Sequence, residues 1–222
     1  MGKKLKRDLV KTFACKKMVN KIPFLLQKVS NTYRPYDPGQ YLYKLMFNSY
    51  KNHFNTNFLD LTYTTLIAWN MNHRGAKLSS YDDFINSIKS NVSEFKALEK
   101  LSIEKNEVTE KEIKVLKKLF KNLKLVQQGK PKLVTYAKTL HFLLPTLLMP
   151  IDRKYTLEFF YQNTSIPKNE EIQFQMYCDI LKQYQNLANN ISLKIYLDEG
   201  WNKSIPKIID NLIIAYQKSR KT

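Results

Sequence analysis

The stretch "TEKEIKVLKKLFKNLKLV", residues 109–126, has the clearest helical pattern in this sequence. Thr109 and Glu112 have the spacing of a capping box, in which each side chain accepts a hydrogen bond from the other residue's backbone N–H. Apolar residues recur every three or four positions, at Ile113, Leu116, Leu119, Phe120 and Leu123. The stretch is therefore predicted to form an amphipathic helix with one buried face.

Helical signals continue outward from this stretch in both directions. Asp37 and Pro38 have the order typical of a helix cap and first turn, and the next helix is expected to end at a left-handed Gly75. Ser80 is a predicted helix cap, and the last helix is predicted to begin after Ser204. Because no run of alternating polar and apolar residues occurs, we predict an all-α, multi-helix globular protein.

Length and composition indicate one folded unit. The 222 residues are 43% hydrophobic, and we expect a single helical domain over residues 1–222 with a soft lobe boundary near the polar residues 102–108. Two cysteines without a C-x-x-C pair, and few glycines, predict no metal and no cofactor. Two cysteines cannot build a disulfide framework, so we expect a cytoplasmic, reducing compartment. Pro145 and Pro150 interrupt the longest apolar run, so we expect no insertion into a membrane.

The positive charge of the chain is its most unusual property. Lys and Arg number 37 against 19 acidic residues, which gives a net charge of +18. Half of this excess lies in residues 1–36, where apolar residues alternate with lysines, so this segment is expected to pack rather than remain a solvated tail. An excess of this size favours a polyanionic partner, most often nucleic acid, although plain solubility also accounts for it.

Two groups of cations are candidates for phosphate contacts. The capping-box helix carries a lysine row in which Lys114, Lys118 and Lys121 share the face opposite the apolar stripe, and Lys130 follows the helix. Like charges at this spacing repel each other, and bound phosphates would offset that repulsion. The second group is Arg74 and Lys77 in "WNMNHRGAKL", residues 69–78. Each group also has a structural explanation that needs no phosphate. The lysine row can be a solvent-exposed helix face, and Arg74 can complement the helix dipole.

The stretch "TLHFLLPTLLMPIDRKYT", residues 139–156, places a carboxylate directly after an apolar run. Asp152 follows Pro150 and is predicted to cap the next helix. A capping carboxylate is also held charged and immobile, which suits a catalytic group. Arg153, the next residue, is a candidate for nucleic-acid binding, and His141 lies eleven residues earlier on the preceding helix.

The stretches at residues 69–78 and 139–156 resemble an uncharacterised family of helical proteins. The signatures of that family are W-x-M-x-x-R-G-A-K-L and L-H-x-L-L-P-x-L-x-x-P-x-D-R-x-Y-T. More distantly, the helix, Pro-x-Asp, helix order is similar to the second half of helix-hairpin-helix DNA glycosylases. That resemblance implies a two-lobed helical fold, a role in DNA repair, DNA rather than RNA as partner, and an Asp152 that assists loss of a base. It also places Lys132 one residue from the Schiff-base lysine of the bifunctional members. The hairpin motif departs from that of the helix-hairpin-helix glycosylases. The stretch "VQQGKPKL" keeps Gly129 but has Pro131 in place of the second glycine.

The sequence thus predicts a nucleic-acid-binding helical protein, and the resemblance implies a glycosylase-like activity for it. The candidate catalytic residues are Asp152, Lys132 and His141. The alternative is a non-enzymatic helical binding or scaffold protein in which Asp152 is only a helix cap. A third class, binding to anionic membrane surfaces through the basic N-terminal segment, is less favoured because Pro23 interrupts its apolar face. No oligomeric state follows from the sequence.

Overall fold

The computed structural model of the chain describes residues 3–31, 38–50, 53–72 and 77–220. These residues form helices joined by short connections, and their extended pairing is limited to one isolated bridge between Leu78 and Val126. The predicted all-α fold is confirmed. The α-helices are α1 (Leu9–Phe13), α2 (Lys16–Val19), α3 (Ile22–Ser30), α4 (Pro38–Asn48), α5 (Thr56–Ala68), α6 (Tyr81–Lys89), α7 (Val92–Leu98), α8 (Glu110–Asn122), α9 (Leu133–Leu143), α10 (Glu158–Tyr161), α11 (Glu170–Asn190) and α12 (Ile205–Ser219).

Helix caps predicted from the sequence are present in the structure. The Thr109 backbone N–H donates to the Glu112 carboxylate at 2.9 Å, which completes the capping box of α8. Ser204 caps α12 by accepting from the backbone N–H of Lys207, and Ser80 caps α6 in the same way. Each of these bonds satisfies one N–H group that would have no partner within its own helix.

The end of α5 differs from the prediction. The helix stops at Ala68, and the left-handed residue that redirects the chain is Asn70, with φ of 60°. Asparagine tolerates this conformation better than other non-glycine residues, so no glycine is required. Gly75, and the predicted helix cap Asp37, lie outside the described residues.

Helix α9 occupies the centre of the protein. Every residue of α9 is buried, and both α5 and α11 pack against it. α12 is buried over most of its surface and packs against α3. α8 lies at the periphery, where Leu116, Leu119 and Phe120 face the core and pack toward α7 and α11.

The N-terminal segment packs as expected. Leu9 and Phe13 of α1 are buried against α11, and the Lys6 backbone N–H donates to the Phe160 carbonyl at 2.6 Å. Residues 102–108 are also anchored, since Ile103 is buried and its N–H donates to the Thr146 carbonyl at 3.0 Å. No helix within the described ranges has the length and apolar character needed to cross a membrane.

Candidate functional site

Asp152 caps a helix, as the sequence predicted. It precedes a π turn, Arg153–Leu157, that continues into α10. Its Oδ1 accepts hydrogen bonds from the backbone N–H groups of Lys154 at 2.7 Å and Tyr155 at 3.0 Å. Oδ2 has no hydrogen-bond partner among the described residues. The cap therefore fixes the carboxylate and leaves one oxygen available.

Asp152 also lines a cavity of about 220 Å³. This cavity lies between the end of α5, the middle of α9, the residues around Asp152, and the first half of α12. Its walls combine two indole rings with two amines and two carboxylates. They consist of Ala68, Trp69, Asn70, Lys138, Pro150, Ile151, Asp152, Tyr155, Trp201, Lys207, Asp210 and Ile214.

The cavity has a solvent-exposed rim and a buried floor. Asn70 is exposed, and Trp69, Asp152 and Tyr155 are partly exposed, so these residues form the rim. Trp201 and the remaining charged residues are buried. The volume is below the range of about 300–1,000 Å³ usual for drug-sized ligands, which limits an occupant to one small group such as a single base or sugar.

A buried ion pair on α12 forms part of the floor. Lys207 Nζ lies 2.6 Å from Asp210 Oδ2, and the two residues are 3% and 4% exposed. Lys207 Nζ also lies over two aromatic rings, 5.6 Å from the Trp69 centroid and 5.4 Å from the Trp201 centroid. Burial raises the pKa of Asp210, and the Lys207 ammonium partly opposes that rise.

Lys138 is the second amine of the floor. It projects from the buried helix α9, is 6% exposed, and lies with Nζ 5.3 Å from the Trp69 centroid. No carboxylate in the described part of the chain is within ion-pair distance of it. Burial therefore lowers the pKa of Lys138, while the charges of Asp152 and Asp210 act in the opposite direction. A lysine in this environment loses its proton more readily than one in water.

His141 lies away from this cavity and has a structural role. Its Nδ1 is 2.7 Å from the Leu148 carbonyl, which can only accept, so Nδ1 carries the proton. The unprotonated Nε2 then accepts from the Tyr43 hydroxyl at 2.8 Å. Burial lowers the pKa of His141 to about 3. The imidazole is therefore neutral at physiological pH, and both of its nitrogens are occupied within the core.

Lys132 lies at a different surface groove. Its Nζ pairs with Glu170 at 2.8 Å and lies 4.7 Å from the Phe120 ring centroid. Its backbone N–H donates to the side chain of Gln173, which takes the place of a local cap for α9. The groove also contains Gly129, which adopts the left-handed φ of 76°. Of the three candidate catalytic residues, the structure thus places only Asp152 at the cavity.

The candidate phosphate-binding cations fall into different environments. In the lysine row of α8, Lys118 pairs with Glu94 at 2.5 Å and Lys121 with Glu171 at 3.6 Å, so acids from other helices offset part of the repulsion. Lys114 is exposed, with no carboxylate partner in the described residues.

The remaining predicted cations are dispersed over the chain. Lys130 is exposed in the groove that contains Lys132, and Lys77 is partly buried. Arg153 is exposed, and its Nε donates to the Thr164 carbonyl at 2.9 Å. Arg74 lies outside the described residues.

Sequence reasoning missed most of the cavity. Lys138, Trp201, Lys207 and Asp210 were not among the predicted site residues. One signal was available, because Lys207 and Asp210 are the charged residues of the otherwise apolar stretch "IPKIIDNLII", residues 205–214. Charged residues within such a stretch are rarely buried unless they are paired or functional.

Neither comparison with known proteins nor a search for metal ligands assigns the cavity a role. No protein-family model, curated protein or solved structure matches this chain. In the described ranges no cluster of three or more His, Cys, Asp or Glu side chains is arranged to hold a metal ion. The chemistry of the cavity must therefore be inferred from its own residues.

Proposed function

We propose that this chain is a nucleic-acid-binding protein that accepts the base of one extruded nucleotide in the cavity and promotes loss of that base. The observation that carries the proposal is the position of Asp152, whose Oδ1 is fixed by the helix cap while its Oδ2 is available at the cavity rim. A sugar that loses its base develops positive charge, and a fixed carboxylate stabilises that charge. The net charge of +18 supports binding to a polyanion.

The aromatic residues of the cavity are consistent with a base as occupant. Trp69 and Tyr155 are partly exposed at the rim, where an extruded base can contact their rings. Enzymes that act on a base in a duplex extrude it and hold it between aromatic or apolar side chains. The distant resemblance to helix-hairpin-helix DNA glycosylases favours DNA over RNA and suggests a two-lobed fold. The left-handed Gly129 between α8 and α9 lies where that resemblance expects the hairpin.

The structure points to a different amine from the one suggested by the resemblance. Lys138 lines the cavity with Asp152, whereas Lys132 pairs with Glu170 in another groove. An amine with a lowered pKa is an effective nucleophile near neutral pH. In a lyase step the neutral Nζ of Lys138 would attack the aldehyde carbon of an abasic sugar and form an imine with loss of one water molecule. Borohydride reduces such an imine to a stable covalent link.

The experiment is a paired measurement of activity and stability. Wild type and Asp152→Asn are incubated with duplexes that each carry one damaged base, and base release is followed alongside thermal unfolding. Because Asn caps a helix about as well as Asp, the variant is expected to unfold within about 0.5 kcal/mol of wild type. Its base release is expected to fall at least about a hundredfold, because the negative charge is gone. Absence of base release by wild type on every duplex would exclude the glycosylase activity.

Borohydride trapping on an abasic duplex then separates the two lysines. Lys138→Gln is expected to abolish the cross-link, whereas Lys132→Gln retains it because Lys132 does not line the cavity. Trapping that persists in Lys138→Gln and disappears in Lys132→Gln would reverse the assignment.

The alternative is a non-enzymatic helical binding or scaffold protein. Both hydrogen bonds that the Asp152 side chain accepts are capping bonds, and these alone account for an acidic residue at this position. In that case Asp152→Ala loses about 0.5–2 kcal/mol of stability and any binding follows stability alone. Unchanged binding by Asp152→Asn, together with absent base release by both wild type and the variant, would identify this case.

A further inference from the structure

The surface that surrounds the π turn after Asp152 carries a second concentration of cations. Arg153 and Lys3 meet at one loop, where Arg153 Nε donates to the Thr164 carbonyl at 2.9 Å and Lys3 Nζ to the Ser165 carbonyl at 2.6 Å. These two residues come from distant parts of the sequence. The fold therefore gathers charge at this point, in addition to the charge that the local sequence provides.

Helix α12 adds further cations to the same surface. The Arg7 guanidinium lies 5.9 Å from the Tyr216 ring centroid and the Arg220 guanidinium 5.8 Å from it, so both arginines contact one ring. Arg7 also lies 5.6 Å from the Phe159 ring centroid in α10. α12 packs against the π turn, which brings Lys218 near Lys154. Burial lowers the pKa of Lys218, and the Lys154 charge lowers it further.

These cations differ from the lysine row of α8 in their pairing. Lys3, Arg7, Arg153, Lys154 and Arg220 have no carboxylate within ion-pair distance in the described part of the chain. In the α8 row, by contrast, Lys118 and Lys121 are paired with acids. Unpaired cations attract phosphates without first losing a carboxylate partner.

The surface is also continuous with the cavity rim. Lys154 Nζ lies 5.4 Å from the ring centroid of Tyr155, which lines the cavity, and Asp152 directly precedes Arg153. Several of the cations are held in place by ring contacts or carbonyl bonds. Groups that are already ordered lose less conformational entropy when they bind phosphate.

We propose that this basic patch, consisting of Lys3, Arg7, Arg153, Lys154, Lys218 and Arg220, binds the phosphate backbone next to the nucleotide that enters the cavity. The inference rests on the proposed function, since it names the surface through which the nucleic acid is held. In this proposal the α8 lysine row makes at most a minor contribution to nucleic-acid binding. The patch, and not the row, then sets the position of the strand relative to Asp152.

The test compares two triple substitutions that remove the same charge from the full-length protein. Arg153→Gln/Lys154→Gln/Arg220→Gln alters the patch, and Lys114→Gln/Lys118→Gln/Lys121→Gln is the matched control in α8. Binding of a fluorescein-labelled DNA duplex is measured by anisotropy at several salt concentrations. The patch variant is expected to bind at least about tenfold more weakly and with a salt slope smaller by about 2–3, while the control changes less than about twofold.

A charge-preserving variant separates electrostatics from misfolding. Arg153→Lys/Lys154→Arg/Arg220→Lys is expected to retain binding, and a loss equal to that of the glutamine variant would overturn the proposal. Equal weakening by the patch and α8 variants would overturn it too, while leaving the proposed function intact. Binding of phosphatidylserine vesicles in preference to DNA would identify the patch as a membrane surface and refute the inference. Absence of binding by wild type to duplex or single-stranded DNA would refute the proposed function itself.

Discussion

The buried imidazole of His141 makes the stability of the fold depend on pH over a defined range. Burial lowers the pKa of His141 to about 3, compared with 6.5 for the unfolded chain. Between these two values the unfolded state binds one proton that the folded state does not. Acidification therefore favours unfolding throughout this range, and stability rises again as the pH increases toward 6.5.

The size of the effect follows from the shift. One pKa unit corresponds to about 1.4 kcal/mol, so the loss of stability attributable to His141 is on the order of 4 kcal/mol between about pH 7 and about pH 3. This is a large fraction of the about 5–15 kcal/mol that stabilises a typical domain. Both hydrogen bonds of the ring, to Leu148 and Tyr43, support the neutral form.

The assay is urea unfolding at a series of pH values for wild type and His141→Asn. At neutral pH the variant is expected to be less stable by about 2–4 kcal/mol, because it loses the Tyr43 bond and leaves space in the core. Carboxylates that titrate in the same range are common to both proteins, so the difference between the curves isolates His141. That difference is expected to shrink by about 1.4 kcal/mol per pH unit below about pH 6. Parallel curves would show that the imidazole does not titrate with a lowered pKa, and would refute this reasoning.

Two further predictions concern a buried tyrosine and a partly buried cysteine. Tyr43→Phe removes the hydroxyl that donates to Nε2 of His141 and leaves a buried acceptor without its partner, so thermal unfolding is expected to show a loss of about 1–3 kcal/mol; a loss below a few tenths would mean that the bond contributes little. Burial raises the pKa of Cys178 to about 12, so iodoacetamide near pH 8 is expected to alkylate Cys178 at least about a hundredfold more slowly than the exposed Cys15. Peptide mapping by mass spectrometry would contradict this if both cysteines react at similar rates.

The helices that the sequence predicted best are those with local signals. The capping box of Thr109 and Glu112 and the cap of Ser204 act within four residues, and each is present as predicted. The predicted end of α5 was wrong because asparagine, like glycine, can adopt the left-handed conformation that redirects the chain. We expected Gly75, the glycine after this helix, whereas the left-handed residue in the structure is Asn70.

The cavity could not be predicted in the same way, because its members come from four separate segments. Every position of α9 is buried, so the hydrophobic pattern does not indicate that Lys138 faces the cavity while His141, three residues later, bonds to Tyr43. Lys132 was a candidate because the resemblance to DNA glycosylases places it one residue from their Schiff-base lysine. Its partner, Glu170, lies on α11, and that pairing appears only once the helices are packed.

The position of the two indole rings gives this protein an optical property. The chain contains two tryptophans, and both Trp69 and Trp201 line the cavity. Emission excited selectively from tryptophan therefore originates at the cavity walls and nowhere else in the molecule. The spectrum of the unlabelled protein is thus a local reporter, in which a shift in emission maximum or quenching upon titration measures occupancy directly.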